Sequence, residues 1–219
     1  MIKAIFFDAD NTLYKLNSKR AYQKLFGYLS KEIKIPPKDI KKKWQIILDK
    51  ILNDSKKSLS PYHRHRAYPI KETLKFYGLN AKKSEALSKK ALNIFFDAIV
   101  EDIKFEKNLK NLIKELKKKY KLIIFTEEFK EYLPKKLNKF FGNWKKYFLF
   151  AVTPDVIKIM KPSEKYFRYG LKKFKLKPSE VIVIGDSFER DIIPAKKIGI
   201  KTFQVKKKGE VCKILKLLL

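Results

Sequence analysis

Unbroken apolar runs and helical-period stripes alternate along this chain, and they divide it into two kinds of segment. Residues 4–7 are continuously apolar, as expected of a strand covered on both faces of a parallel sheet. Residues 18–29 then place Tyr22, Leu25, Phe26 and Leu29 on one helical face, and residues 39–52 do the same with Trp44, Ile47, Leu48 and Ile51. A polar stretch at 53–60 reads as a loop, and an aromatic and basic segment bounded by Pro61 and Pro69 follows. Helical patterns at 70–77 and 82–100 flank a stop at Gly78. No strand signal occurs from about 16 to 100, so that block reads as a helical insertion.

From residue 105 the pattern changes to alternation. Helices are expected at 108–119, 130–140, 163–174 and 191–198, with Ser163 and Asp191 as caps. Strands are expected at 121–125, within the apolar run 147–152, at 181–184 and at 201–205, before a C-terminal helix. Strand–helix alternation with right-handed crossovers predicts an α/β fold with a doubly wound parallel sheet. The division expected is a core of residues 1–15 and 101–219 and a helical domain of 16–100.

Composition changes this picture little. With 45% hydrophobic and 14% aromatic residues, the chain can bury a core. A single cysteine, Cys212, excludes an internal disulfide and suits a reducing compartment. No apolar run approaches the ~18 residues of a membrane span, and the first strand is too short and too soon followed by acids to be a signal peptide. A soluble, cytoplasmic protein without a membrane partner is expected. The net charge of +30 comes from 48 lysines and only five arginines. Base readout and bidentate phosphate clamps favour arginine, so the charge reads first as a solvated surface and second as a nucleic-acid footprint.

Chemistry enters at the strand ends. Asp8 and Asp10 follow the first strand, Thr126 follows the second, and Gly185-Asp186 follows the strand at 181–184; Lys161-Pro162 precedes a helix between them. In a parallel sheet such ends converge on one edge. Two carboxylates one residue apart repel unless a cation or a shared proton offsets them; the plainer reading is a polar turn that caps the next helix. Together these groups supply a nucleophile, a second carboxyl, a hydroxyl, an ammonium and further carboxylates at Asp186 and Asp191. That inventory suits phosphoryl transfer through an acyl phosphate, with Mg²⁺ holding Asp8 and Asp186 together.

Asp8-Ala9-Asp10-Asn11-Thr12, Thr126, Lys161-Pro162 and the run from Gly185 to Asp191 resemble the four ordered signatures of the haloacid dehalogenase-like (HAD) hydrolase superfamily. The resemblance covers residues 1–15 and about 105–205, and residues 16–100 resemble that superfamily's helical cap of the first type. It implies a Rossmann-like core, Asp8 as nucleophile, and Asp10 as the acid that protonates the leaving oxygen and then the base that activates water. It also implies Mg²⁺ held by the Asp8 carboxylate, the Asp10 backbone carbonyl and Asp186, with Asp191 beside them as ligand or support. Thr126 and Lys161 would grip the phosphoryl group.

Dehalogenase members lack an acid at the position of Asp10, because a halide leaves without a proton and an alkoxide does not. The resemblance therefore points to a Mg²⁺-dependent phosphatase acting on a small phosphorylated metabolite. The alternatives are a phosphomutase of the same superfamily and, from a different class, a basic nucleic-acid-binding protein on a disused hydrolase scaffold; the intact acid signature argues against the latter, so nucleic acid is not an expected partner. Two departures stand out. Glu127 and Glu128 occupy positions usually held by asparagine or small residues, and a carboxylate there repels an anionic substrate unless it points away or pairs with a cation. In the helical block, His63, Arg64, His65 and Arg66 are candidate substrate contacts, whereas the aromatic stripes read as packing.

Overall fold

The computed structural model describes residues 1–207 and 209–219. It begins with β1 (Ala4–Phe7), followed by helices α1 (Lys19–Ile33), α2 (Pro37–Asn53), α3 (Pro61–Arg64), α4 (Ala67–Phe76) and α5 (Ala81–Asp102). Then come α6 (Leu109–Lys119), β2 (Lys121–Phe125), α7 (Leu133–Phe141), β3 (Phe150–Val152), α8 (Pro154–Ile157) and α9 (Glu164–Phe174). The chain finishes with β4 (Val181–Gly185), α10 (Ile193–Lys197), β5 (Lys201–Gln204) and α11 (Glu210–Leu217). Two compact units result: Met1–Leu16 with Ile103–Leu219, and Asn17–Asp102.

The first unit holds a five-stranded, all-parallel sheet in the order β3-β2-β1-β4-β5 among the described residues. This is the doubly wound architecture expected from the alternation. β1 is central: Ala4 pairs with Lys121 on one side and with Val181 on the other. Its four residues are fully buried, which is why they are all apolar. The outer strands β3 and β5 are short and half-buried, as sheet edges commonly are. The chain builds outward from β1 through β2 to β3 and then returns to β4 on β1's other side. The reversal opens a crevice at the carboxyl ends of β1 and β4, where sheets of this kind bind ligands.

Packing behind the sheet is aromatic. Phe6 stacks on Phe125 with ring centroids 4.1 Å apart, and Phe125 lies parallel to Phe167 of α9 at 5.8 Å. Gly170 lets α9 come this close, because a Cβ there would run into the Phe125 ring. Gly170→Ala would gain about 1 kcal/mol of helix propensity and lose about 1–3 kcal/mol to overpacking. A net loss near 1 kcal/mol is expected, read as a lower urea midpoint; a raised midpoint would mean that the Phe125 ring gives way freely.

Local signals fared unevenly. Ser163 does precede α9, but its side chain makes no capping hydrogen bond. Asp191 does not cap α10; it lies inside a π-helical turn, Phe188–Ile192, whose own cap is Ser187 accepting from the Arg190 N–H. Three residues fewer than expected join α7 at its start, since 130–132 form turns. Pro194 sits in the first turn of α10, where a missing N–H does little harm. Cys212 on α11 has its thiol pushed up to about 12, by burial and then by Glu106, which leaves it a poor nucleophile at neutral pH.

The second unit is helical throughout its ordered elements. α1 buries Ala21, Leu25, Phe26 and Leu29, and α5 buries Leu92, Phe95, Phe96 and Ile99. Tyr22 packs against Trp44 and Phe95 with centroids 5.1 and 4.8 Å apart, so the aromatic stripes form this unit's interior. The aromatic and basic segment from Pro61 is helical, with α3 and α4 separated only by His65 and Arg66. In the first unit, Lys15 and Lys104 pair as a short antiparallel bridge with N–H···O distances of 2.9 and 3.3 Å. Among the described residues, no helix is long and apolar enough to cross a membrane.

Candidate active site

The site begins where β1 stops. Asp8 is the first residue beyond the strand, and its backbone N–H still donates to the Ile184 carbonyl of β4 at 2.8 Å. The chain then turns: Thr12 and Leu13 donate back to the Ala9 carbonyl, and Asn11 takes a left-handed conformation with φ +62°. Asparagine tolerates that conformation better than most residues, and its side chain accepts from the Leu16 N–H at 3.1 Å. This turn brings the Thr12 hydroxyl to Asp8 Oδ2 at 3.1 Å.

Lys161 closes the other side of Asp8. Its ammonium, 1% exposed, lies 2.9 Å from Asp8 Oδ1 and 2.6 Å from Asp191 Oδ1. The second Asp191 oxygen accepts from the Ser187 N–H at 3.1 Å, a contact created by the π-helical turn. Gly185 makes room for it, since a Cβ there would stand 2.5 Å from the Asp191 carboxyl carbon. Asp186 completes the group: Asp8, Asp186 and Asp191 each offer an oxygen within 4.8 Å of the others.

Three carboxylates thus gather around one buried ammonium, which pairs with Asp8 and Asp191. Burial raises the Asp8 pKa well above its ordinary value; Lys161 opposes the rise, and Asp191 and Asp186 add to it. Asp186 is raised too, by burial and then by Asp191. Burial alone would lower the lysine, yet the carboxylates of Asp191 and Asp8 outweigh it and hold the ammonium firmly protonated. The cluster is therefore short of positive charge. An all-oxygen donor set in that condition fits a hard divalent cation such as Mg²⁺.

A second cluster forms around Asp10. Both of its carboxylate oxygens lie 3.0 Å from Lys136 Nζ, and the Tyr14 hydroxyl donates to Oδ1. Lys136 also bonds Glu128, whose other oxygen accepts from the Phe129 N–H at 3.0 Å. Glu127 pairs with Arg190, which also donates to the Lys161 carbonyl at 3.2 Å. Each glutamate after Thr126 has a cationic partner, which answers the repulsion that the sequence raised. Thr126 itself is buried beyond β2, and its hydroxyl accepts from the Glu128 N–H at 3.0 Å.

A carboxylate cluster with a buried lysine at the reversal point of a parallel sheet narrows the choice of family, and one comparison decides it. The sequence pattern of the haloacid dehalogenase-like hydrolases matches residues 2–199. This chain belongs to that family. Among solved structures, this HAD hydrolase is similar to a 2-haloacid dehalogenase from Pseudomonas syringae, with a TM-score of 0.72 and 19% identity over 95% of this chain and 88% of the other. It is also similar to an HAD phosphatase from Thermococcus onnurineus, with a TM-score of 0.67 and 20% identity over 99% and 98% of the two chains. A dehalogenase and a phosphatase share the fold, so the fold does not choose between them. By sequence, the chain is 37% identical over 57 residues to a glyceraldehyde 3-phosphate phosphatase from Methanocaldococcus jannaschii. That match spans 26% of this HAD hydrolase and only 25% of the relative.

Of the residues singled out from the sequence, Asp8, Lys161, Asp186 and Asp191 come together. The Asp10 carboxylate is held by Lys136 and Tyr14, and Thr126 follows the strand adjacent to β1. His63, Arg64, His65 and Arg66 lie in the helical unit. There Arg66 donates to the Tyr22 hydroxyl at 3.2 Å and lies 5.2 Å from the Phe95 ring centroid, His65 Nδ1 accepts from the Ala67 N–H, and His63 Nδ1 meets the Ser60 hydroxyl at 3.0 Å. Arg66 thus works in that unit's own packing. Reading the sequence missed Lys136 and Tyr14. A usable signal existed for Lys136: it falls in the buried stripe Leu133, Lys136, Leu137 and Phe141, where a lysine is out of place.

Proposed function

We propose that this HAD hydrolase is a phosphomonoester hydrolase that works through an aspartyl-phosphate on Asp8, with Asn17–Asp102 as its cap. One observation carries the phosphatase reading: Asp10, two residues beyond the nucleophile, keeps a carboxyl held by Tyr14 and Lys136 and 27% exposed. An alkoxide leaving group needs a proton and a halide does not, so a dehalogenase has no use for this acid. The phosphatase relative from M. jannaschii supports the same choice over its short match.

An Asp8 oxygen attacks phosphorus, the ester P–O bond breaks, and the leaving oxygen takes its proton from Asp10. Asp10 then removes a proton from water, the water oxygen attacks phosphorus, and the Asp8–phosphorus bond breaks to release orthophosphate. Lys161 and the Thr126 hydroxyl, which still has its own proton to give, bind the phosphoryl oxygens. Asp8, Asp186, Asp191 and the Asp10 carbonyl would hold Mg²⁺, which when bound supplies positive charge to the transferring group. His63 and Arg64 are the proposed cap contacts to a small substrate.

The test is a panel of phosphorylated metabolites, glyceraldehyde 3-phosphate among them, assayed with Mg²⁺ and with EDTA. Orthophosphate release with Mg²⁺ is expected, falling at least about 10²-fold in EDTA and returning when Mg²⁺ is restored. Release indifferent to EDTA would overturn the metal assignment. An isomerised sugar phosphate in place of orthophosphate would make the protein a mutase.

A further inference from the structure

Lys136 is 1% exposed, on a helix face otherwise made of leucine and phenylalanine. Burying an ammonium is costly unless it is paired and hydrogen-bonded, and an apolar residue of similar volume often serves stability better. A helix that only had to close against the sheet would place leucine or methionine there. Instead the side chain reaches both oxygens of Asp10 at 3.0 Å. On its far side it is held by Glu128, 5% exposed and itself fixed by the Phe129 N–H.

The arrangement has a direction. Glu128 orients Lys136, Lys136 spans both oxygens of Asp10, and Tyr14 grips one of those oxygens from a different side. With two donors on separate elements, neither the rotation nor the swing of the Asp10 carboxyl is left free. A second buried lysine, Lys161, bridges one oxygen of Asp8 and one of Asp191. Each acid of the Asp8–Asp10 pair thus has its own ammonium, delivered from a different part of the chain.

We propose that Lys136, oriented by Glu128, is a positioning residue that fixes the Asp10 carboxyl for its proton transfers. This rests on the reading of Asp10 as the acid and base of a phosphatase. A misplacement near 1 Å can lower a rate about 10²-fold, and the loss falls on the step that uses the misplaced group. It also gives a use to the unusual glutamate at position 128, a carboxylate near the phosphoryl site retained because it holds a lysine.

The experiment compares kcat/KM for an alkyl phosphate, whose leaving group needs a proton, with that for dinitrophenyl phosphate, whose leaving group does not. Lys136→Met alone orphans the buried Glu128, so the variant to use is Lys136→Met with Glu128→Gln. The alkyl ester is expected to lose about 10²-fold and the dinitrophenyl ester less than about 5-fold. Asp10→Asn provides the reference and should show the same split, more steeply. Equal losses on both esters in Asp10→Asn would overturn the role given to Asp10 itself. A clear split in Asp10→Asn with none in the double variant would overturn only the role given to Lys136. A double variant that does not fold would assign the lysine to stability and likewise overturn it.

Discussion

Asp8→Asn is expected to abolish phosphate release, by about 10⁴-fold or more, while leaving the protein folded. The first half follows from removing the attacking oxygen: an amide is a poor nucleophile, and the residual rate is what binding and charge stabilisation supply alone. The second half follows from the electrostatics of the cluster. Burial pushes the Asp8 pKa up, Lys161 opposes the rise, and Asp191 and Asp186 repel the Asp8 charge. Replacing it by a neutral isostere relieves that repulsion, keeps one acceptor oxygen for Lys161 and turns an amide N–H toward the Thr12 hydroxyl, which can accept it. The melting temperature of the metal-free variant should therefore not fall below the parent's, so lost turnover can be ascribed to chemistry. Retained turnover in a folded Asp8→Asn protein would refute the covalent route.

Lys161→Met carries the largest expected loss of stability. The lysine is buried between Asp8 and Asp191, and its removal leaves both carboxylates without the ammonium they share. Breaking a buried pair in this way costs about 3–5 kcal/mol. The sign of the second effect is more telling. If the acids bind a divalent cation, saturating Mg²⁺ restores part of the missing positive charge, so the denaturation midpoint of Lys161→Met should rise with Mg²⁺ by more than the parent's does. Activity should remain lost in either case, because the ammonium proposed to bind the phosphoryl oxygens is gone. A midpoint equal to the parent's in EDTA would show that the lysine offsets no net charge there.

The sheet was legible because parallel strands buried on both faces must be apolar runs, and residues 4–7, 122–125 and 181–184 are such runs. The convergence of Asp8, Lys161, Asp186 and Asp191 was legible for a related reason, since parallel strands deliver their carboxyl ends to one edge. Caps were not. Ser163 and Asp191 have the residue types of N-caps, but Asp191 is claimed by Lys161 and the Ser187 N–H, a tertiary demand that outweighs local preference. Glu127 and Glu128 looked like liabilities because Arg190 is remote in sequence from the first, and Lys136, two helical turns beyond the second, meets it only once α7 is folded. Lys136 was hidden among 48 lysines; only its place in an apolar stripe sets it apart.

The bridge between Lys15 and Lys104 ties the departing and returning chain together inside the first unit. The ends of whatever is threaded between them are already joined, and the entropy of closing a loop grows only slowly with its length. A different insert, longer or shorter, could be grafted at that junction while Asp8 and its neighbours stay as they are. If the insert is the cap proposed above, selectivity and reactivity are separate inheritances, one exchangeable at a single seam and the other fixed by the strand order.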